Sequence, residues 1–281
     1  MSAGYAAAGS GSGIVTRDLI PRIASSLVLI AIAVVATWYG GLVAALVVAA
    51  IAAAVHLEWA GVTEHRSGPA LPFTVAVAAA LVLYGLGLPM VGLVLGVLAA
   101  AVATITGPRP WRAVGIVYAL VLGFSLLILR DSVDHGLAAV GFVVTTVAAT
   151  DIGAFAAGRT LGGPKLWPAV SPKKTWSGAI GGLAAGVLGG WAAAAVLEPA
   201  ATAGLVIVSI LLSVVSQFGD LFESYVKRRF GAKDSGHLVP GHGGMMDRVD
   251  GLVFAAAVAV VVGVGHNGLG DPAQGLMVWQ M

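Results

Sequence analysis

Apolar segments long enough to cross a membrane follow one another along most of this 281-residue chain. A helix that crosses about 30 Å of hydrocarbon needs about 20 mostly apolar residues. The segments that meet or approach this length are 23–39, 40–60, 71–85, 86–105, 113–129, 137–157, 179–197, 203–218 and 251–264. They predict an all-α polytopic membrane protein with about nine transmembrane helices.

The composition argues against a water-soluble globular domain. Only 10% of the residues are charged and 58% are hydrophobic, whereas soluble domains carry about 25% charged residues. The 40 glycines suit helices that pack closely in lipid. The chain has no cysteine, which excludes thiolate metal sites, catalytic thiols and disulfides.

The lysine and arginine positions predict how the chain is oriented, because cytoplasmic loops of membrane proteins are rich in these residues. With nine helices, a cytoplasmic N-terminus and an outside C-terminus, all 15 basic residues except Arg130 lie on the cytoplasmic side. We expect a disordered tail over 1–18 and N-terminal transmembrane helices over 19–136. The remaining residues, 137–281, would carry two polar cytoplasmic loops, 158–178 and 218–250.

Ionisable residues inside apolar segments are costly in lipid and usually mark a functional site. Asp151 lies in such a segment, and the alternative is that it merely bonds a neighbour near a helix end. His56 and Glu58 lie in the second segment, either as a polar pair between helices or near its cytoplasmic end. The acidic residues of the segment 218–250 are Asp220, Glu223, Asp234, Asp247 and Asp250.

The two polar loops have the residue types of an anion and cation site. In 158–178, glycines permit close backbone approach to an anion, and Lys173 and Lys174 offer charges for phosphate. The alternative is an ordinary basic cytoplasmic loop. In 218–250, Asp220, Ser224 and Lys227 fall on one helix face with Glu223.

Asp247 and Asp250 repeat that spacing where the last apolar segment begins. The two helix ends could converge on a divalent cation, and oxygen ligands favour Mg²⁺. The alternative is a salt-bridged helix and loop without a metal.

Residues 224–250 resemble the C-terminal motif of the phosphatidate cytidylyltransferases, the CDP-diacylglycerol synthases. That motif runs Ser-x-hydrophobic-Lys-Arg, then Lys-Asp and a small residue, and closes on His-Gly-Gly-x-x-Asp-Arg-x-Asp. The matching residues here are Ser224, Val226, Lys227, Arg228, Lys233, Asp234, Gly236, Pro240, His242, Gly243, Gly244, Asp247, Arg248 and Asp250. Upstream, Asp151, Gly158 and Arg159 resemble a second family segment, and residues 171–176 resemble a third. Ser177 stands where the family pattern has glutamate.

The resemblance implies transfer of CMP from CTP to phosphatidic acid, forming CDP-diacylglycerol and pyrophosphate, with 137–281 as the catalytic half. It implies a Mg²⁺ site, two cations in the main hypothesis, with a monovalent ion as an alternative occupant. The metal ligands would be Asp220, Asp247, Asp250 and Asp151. The catalytic residues would be Asp220, Asp247, Lys227 and Arg228. The substrate contacts would be Lys173, Lys174, Thr175, Ser171, Arg159, Ser224, Lys233, His242, Gly243, Gly244 and Arg248.

The expected partners are CTP, phosphatidic acid and the lipid bilayer, with a homodimer as an option and no nucleic acid. We expect a bacterial inner membrane, with the active site facing the cytoplasm. One alternative is a related CTP transferase that acts on another lipid phosphate. The other is a transporter with carboxylates at the membrane midplane, which predicts charges spread over several helices and internal symmetry.

Overall fold

Helices make up most of the structure, a computed structural model that describes residues 30–64, 70–106, 110–198, 203–236 and 243–279, together with residue 28. The elements in chain order are α1 (Ile30–Tyr39), α2 (Gly41–Thr63), α3 (Ala70–Gly85), α4 (Pro89–Thr106), α5 (Trp111–Arg130), α6 (Gly136–Thr160), β1 (Lys165–Trp167), β2 (Ser171–Thr175), α7 (Trp176–Leu197), α8 (Ala203–Arg229), α9 (Met246–Asn267) and α10 (Pro272–Met277). The predicted disordered tail, 1–18, lies outside the described residues.

Seven helices within the described residues are long and apolar enough to cross a membrane, namely α2 and α4–α9. The helices α1 and α3 are apolar but have fewer than 18 residues. Each of the nine predicted segments therefore contains an apolar helix, and the chain is a multi-pass membrane protein.

Consecutive helices run in alternating directions, so their ends form two groups. At one end of the bundle, Arg112 at the start of α5 pairs with Glu64 after α2, with 2.7 Å between Nη2 and Oε2. At the other end, Arg130 donates to the carbonyls of Thr37 and Trp38 at the end of α1. We call the end that holds Arg112 the polar end.

The helices α6 and α7 lie very close together because small residues line their contact. A β-carbon at Gly182 would lie 2.9 Å from the carbonyl oxygen of Thr150, and one at Gly153 would lie 2.3 Å from the β-carbon of Ala185. Small residues allow such approach between membrane helices. The contact fixes Asp151 on α6 next to Thr150, which faces Gly182 and Gly186 of α7.

A two-stranded antiparallel hairpin, β1 and β2, connects α6 to α7 at the polar end. This corrects the all-α prediction, since the segment 158–178 contains strands as well as loop. Gly162 and Gly163 have φ of 63° and 102°, so glycine permits the turn that follows α6. The hairpin returns the chain from the end of α6 to the start of α7.

The predicted loop 218–250 is helical at both ends. The helix α8 continues to Arg229 and α9 begins at Met246, so the residues between them make the connection. Aromatic rings of Trp59, Tyr118, Phe222 and Phe254 pack together between α2, α5, α8 and α9, with centroid distances of 5.1–6.5 Å. This cluster joins the helices of the two halves beneath the polar end.

Candidate active site

A cavity of about 470 Å³ lies at the polar end, between the hairpin and the ends of α6, α7, α8 and α9. Its charged lining residues are Asp151, Arg159, Lys173, Lys174, Asp220, Asp247 and Asp250. Gly158, Thr175, Gly178 and Gln217 also line it, with apolar side chains on one side. The structure thus brings together eight residues that the sequence predicted for the site, including Thr175.

Two glycines let α8 and α9 cross closely at the cavity. A β-carbon at Gly219 would lie 2.5 Å from the carbonyl oxygen of Asp250, and one at Gly251 would lie 3.0 Å from that of Ser216. Each glycine is next in sequence to an aspartate of the cavity, Asp220 or Asp250. The close crossing therefore places both carboxylates on the same cavity.

Lys227 joins the two helices by lying between two carboxylates. Its Nζ atom lies 2.6 Å from Glu223 Oε2 on α8 and 2.7 Å from Asp247 Oδ1 on α9. Glu223 is only 1% exposed and Lys227 is 12% exposed. The predicted convergence of the two carboxylate-bearing helix ends is therefore present, and an ion pair holds it.

The second oxygen of Asp247 binds the backbone of the α8–α9 connection. Oδ2 accepts hydrogen bonds from the N–H groups of Ser235 and Gly244, at 3.3 and 3.1 Å. Charge-assisted hydrogen bonds of this kind are stronger than neutral ones. Asp247 therefore shapes the connection as well as lining the cavity.

On the hairpin side, Lys174 reaches the cavity aspartate on α8. Its Nζ atom lies 2.5 Å from Asp220 Oδ2, and both side chains remain partly exposed. Thr175 is buried, and its hydroxyl accepts the N–H of Gly178 at 3.1 Å as the N-cap of α7. The cap fixes where α7 begins, so it also fixes Lys173 and Lys174 relative to α6.

An apolar groove of about 370 Å³ adjoins the cavity and shares Leu166, Ala179 and Gln217 with it. The other lining residues are Trp167, Trp176, Ile180, Leu183, Val214, Phe218 and Leu221. The groove runs along α7 and α8, the surface that two membrane-crossing helices present to lipid. A polar cavity and an apolar groove that meet in this way suit a molecule with a charged head and a hydrocarbon tail.

Comparison with known proteins identifies the family. The profile of the Cytidylyltransferase family matches residues 20–264. The chain is 42% identical over 252 residues to the phosphatidate cytidylyltransferase of Brucella suis, which covers 88% of this chain and 93% of that protein. This chain belongs to the cytidylyltransferase family.

Further cytidylyltransferase relatives match the chain over shorter stretches. The phosphatidate cytidylyltransferase of Staphylococcus saprophyticus is 40% identical over 134 residues, 47% of this chain and 52% of that protein. That of Helicobacter pylori is 44% identical over 124 residues, 44% of this chain and 46% of that protein. The family predicted from the motif of residues 224–250 is confirmed. This family assignment excludes the transporter alternative.

Several residues predicted from the cytidylyltransferase motif do not line the cavity. These are Ser171, Ser224, Lys227, Arg228, Lys233, Gly243, Gly244 and Arg248. Lys227 acts on the cavity through Asp247, and the Ser224 hydroxyl lies 3.5 Å from Asp220 Oδ1. Arg228 is exposed and donates to the carbonyl of Ala232. His242 lies outside the described residues.

Ser177, which replaces the glutamate of the family pattern, binds the chain rather than facing the aspartates. Its hydroxyl donates to the carbonyl of Gly162 and lies 3.0 Å from the Thr175 hydroxyl. It therefore ties the turn after α6 to the start of α7.

The cavity aspartates offer the type of oxygen ligand that Mg²⁺ prefers. Among the described residues, no group of three or more His, Asp or Glu side chains could hold a metal by itself. Protein Mg²⁺ sites commonly use one or two carboxylates plus substrate phosphates, and four carboxylates line this cavity against three basic residues.

Sequence reasoning missed two residues that shape the site. Gln217 lines the cavity and donates to the carbonyl of Ala179 at 3.3 Å. Glu223 was noted on the shared helix face but was not placed in the site. Its position four residues before Lys227 was the available signal, because such pairs meet on a helix.

Proposed function

We propose that this chain transfers CMP from CTP to phosphatidic acid, forming CDP-diacylglycerol and pyrophosphate in phospholipid biosynthesis. The observation that carries this proposal is the cavity of aspartates and basic residues inside the segment that the cytidylyltransferase profile matches. The relatives in Brucella, Staphylococcus and Helicobacter are named phosphatidate cytidylyltransferases, which supports the same reaction.

The groove supports a lipid as the second substrate. Its lining is apolar, and it meets the cavity at Leu166 and Ala179. Trp167 and Trp176 are about half exposed at the mouth, and tryptophan is enriched at the membrane–water boundary. A phosphatidate could place its phosphate among the basic residues while one acyl chain lies in the groove.

In the proposed reaction, a phosphate oxygen of phosphatidate attacks the α-phosphorus of CTP. The bond from that phosphorus to the bridging oxygen breaks, and pyrophosphate leaves with the bonding electrons. Phosphoryl chemistry of this kind depends on positioning and charge neutralisation rather than on a covalent nucleophile. Arg159, Lys173 and Lys174 would bind and orient phosphates, while Lys227 keeps Asp247 in place.

For the cation, we propose Mg²⁺ held by Asp220 and Asp247, with Asp250 and Asp151 supporting it directly or through water. A bound Mg²⁺ would neutralise the phosphate oxygens. A second cation, either Mg²⁺ or a monovalent ion, belongs to the same proposal. Its support is the excess of carboxylates over basic residues in the cavity lining.

For the membrane arrangement, we propose nine transmembrane helices in a bacterial inner membrane, with the N-terminus and the cavity on the cytoplasmic side. The support is the basic residues at the polar end and the alternation of the helices. Because the chain lacks cysteine, Lys173→Cys and Val133→Cys provide single thiols at the two ends. A membrane-impermeant maleimide added to spheroplasts should label Val133→Cys only, and the reverse pattern would contradict the orientation.

The homodimer stays a prediction, which native mass spectrometry in detergent would test.

The reaction is tested by pyrophosphate release from purified protein. CTP and Mg²⁺ are mixed with phosphatidate, a polyprenyl phosphate or an ether-lipid phosphate, and Asp220→Asn serves as the inactive comparison. We expect release with phosphatidate that requires both CTP and lipid. Faster release with another lipid phosphate would replace phosphatidate as the substrate, and no release with any lipid would refute the proposed function.

A further inference from the structure

Glu58 is a charged residue near the end of the apolar helix α2, and its contacts show a use that the sequence left open. It lies on α2 and is 5% exposed. It does not pair with His56, whose Nδ1 atom lies 2.7 Å from the hydroxyl of Thr74 on α3. Glu58 instead points toward α9 and the connection before it.

The Glu58 carboxylate binds the first N–H groups of α9. Oε1 accepts from Met245 at 2.9 Å, and Oε2 accepts from Met246 at 2.7 Å. The first N–H groups of a helix lack partners within the helix, and the positive end of the helix dipole favours a carboxylate. These contacts compensate the buried charge of Glu58.

The same carboxylate reaches back to residue 235. The Ser235 hydroxyl lies 3.1 Å from Glu58 Oε2, while the Ser235 N–H donates to Asp247 Oδ2. Glu58 and Asp247 thus bind the same short piece of backbone from two sides. Any shift of that backbone away from Glu58 would also move Asp247.

We propose that Glu58 is a positioning residue that sets the place of Asp247, and with it the start of α9, relative to the cavity. The inference rests on the proposed function for its kinetic consequence, but its structural part does not. Glu58 does not line the cavity, so its effect on the reaction would pass through Asp247. A displacement of about 1 Å in a reacting group can reduce the rate about 100-fold.

The glycines of the α8–α9 connection support this assignment. A β-carbon at Gly244 would lie 1.8 Å from Ser235 Oγ and 2.6 Å from Glu58 Oε2, and one at Gly236 would lie 2.8 Å from Glu58 Oε1. Gly244 does not have a positive φ, in contrast to Gly243 with φ of 86°. The space that Ser235 and Glu58 occupy together therefore leaves no room for a β-carbon at residue 244.

A labelling experiment tests the structural part without using activity. Met245→Cys introduces the only thiol in the chain, and its reaction rate with a maleimide reports how firmly the start of α9 is held. Glu58→Ala in this background should speed labelling about tenfold, the factor expected for losing a charge-assisted hydrogen bond. Glu58→Gln, which keeps the shape but loses the charge, should fall between.

His56→Ala is the matched control, because it removes a buried polar contact of the same helix on the side facing α3. It should leave the labelling rate within about twofold of the parent, well short of the tenfold change. Equal acceleration by His56→Ala and Glu58→Ala would show general loosening of α2 and overturn the assignment. An unchanged rate in Glu58→Ala would do the same.

Kinetics test the consequence for Asp247. At saturating CTP and phosphatidate, Glu58→Ala should lower kcat about 100-fold while KM for CTP changes little, and His56→Ala should keep kcat. Gly244→Ala should also lower kcat. The fold-loss in kcat of the double variant Glu58→Ala/Gly244→Ala should be much smaller than the product of the two single fold-losses, because both changes disturb one contact. Multiplicative losses would assign Gly244 a separate role and overturn the account. If the parent protein transfers no CMP, the proposed function fails while the labelling result still stands.

Discussion

Replacing Lys227 by methionine removes the ammonium group that lies between Glu223 and Asp247 but keeps a side chain of similar length. The contact with Glu223 is 2.6 Å long and that with Asp247 is 2.7 Å long. A full ion pair at the Asp247 distance has about 6 kcal/mol of Coulomb energy at an effective dielectric constant of about 20. Desolvation of the three groups cancels much of this. Removing one partner of a buried pair typically costs about 3–5 kcal/mol, and we expect a loss of that size in the free energy of unfolding.

The loss should come mainly from Glu223. That carboxylate is 1% exposed, so water cannot take the place of the lysine, whereas Asp247 keeps two backbone N–H donors. The double variant Glu223→Gln/Lys227→Met should therefore recover more than half of the lost stability. It should not recover CMP transfer, because Asp247 still lacks the contact that joins it to α8.

Unfolding of detergent-purified protein, followed by circular dichroism during heating and in denaturant, gives the stability of each variant. Pyrophosphate release gives the activity of the same samples. A loss of less than about 1 kcal/mol in Lys227→Met, the value typical of an exposed pair, would show that the buried contacts of Lys227 do not stabilise the protein. The same conclusion would follow if Glu223→Gln restored no stability to Lys227→Met.

Three further substitutions test other parts of the structure. Thr175→Ala removes the N-cap of α7 and should lower the free energy of unfolding by about 1 kcal/mol; thermal unfolding measures this, and Thr175→Ser should restore it. Gly181→Ala would put a β-carbon 2.2 Å from that of Ala157 on α6 and should lower the free energy of unfolding by about 1–3 kcal/mol. Gly265→Ala adds its β-carbon in open space and should leave the free energy of unfolding unchanged in the same assay. Leu183→Trp fills the groove and should raise KM for phosphatidate but not for CTP; Leu188→Trp, on the same helix outside the groove, should change neither value.

The helices could be predicted from the sequence because lipid imposes a simple rule. A span must be apolar and satisfy its backbone internally, so segment length alone locates α2 and α4–α9. The turns were harder, since only glycine marked them. Gly40 has φ of 64° between α1 and α2, and Gly87 has φ of 80° between α3 and α4.

The cavity could be predicted in part because its charges are rare in this chain. Asp151, Asp220, Asp247 and Asp250 stood out against an apolar background, and the structure places all four on one cavity. The motif could not separate residues that face the cavity from those that shape its walls. Arg228, for example, belongs to the motif but does not line the cavity. It donates a hydrogen bond to the backbone carbonyl of Ala232.

Contacts between distant parts of the chain were beyond the sequence. Glu58 lies 177 positions before Ser235, and periodicity along α2 does not indicate which helix a side chain meets. The hairpin after α6 was missed for a related reason. Its strands are three and five residues long, too short for an alternating pattern to be distinguished from a loop.

CMP transfer can be followed directly through the phosphorus atoms of CTP. Purified protein is mixed with Mg²⁺, phosphatidate and CTP labelled at either the α- or the γ-phosphate, and the lipid is then extracted. We expect the α-label to enter the lipid and the γ-label to leave as pyrophosphate, and we expect Asp247→Asn to abolish both. Transfer of the γ-label to lipid, or unchanged transfer by Asp247→Asn, would contradict this expectation.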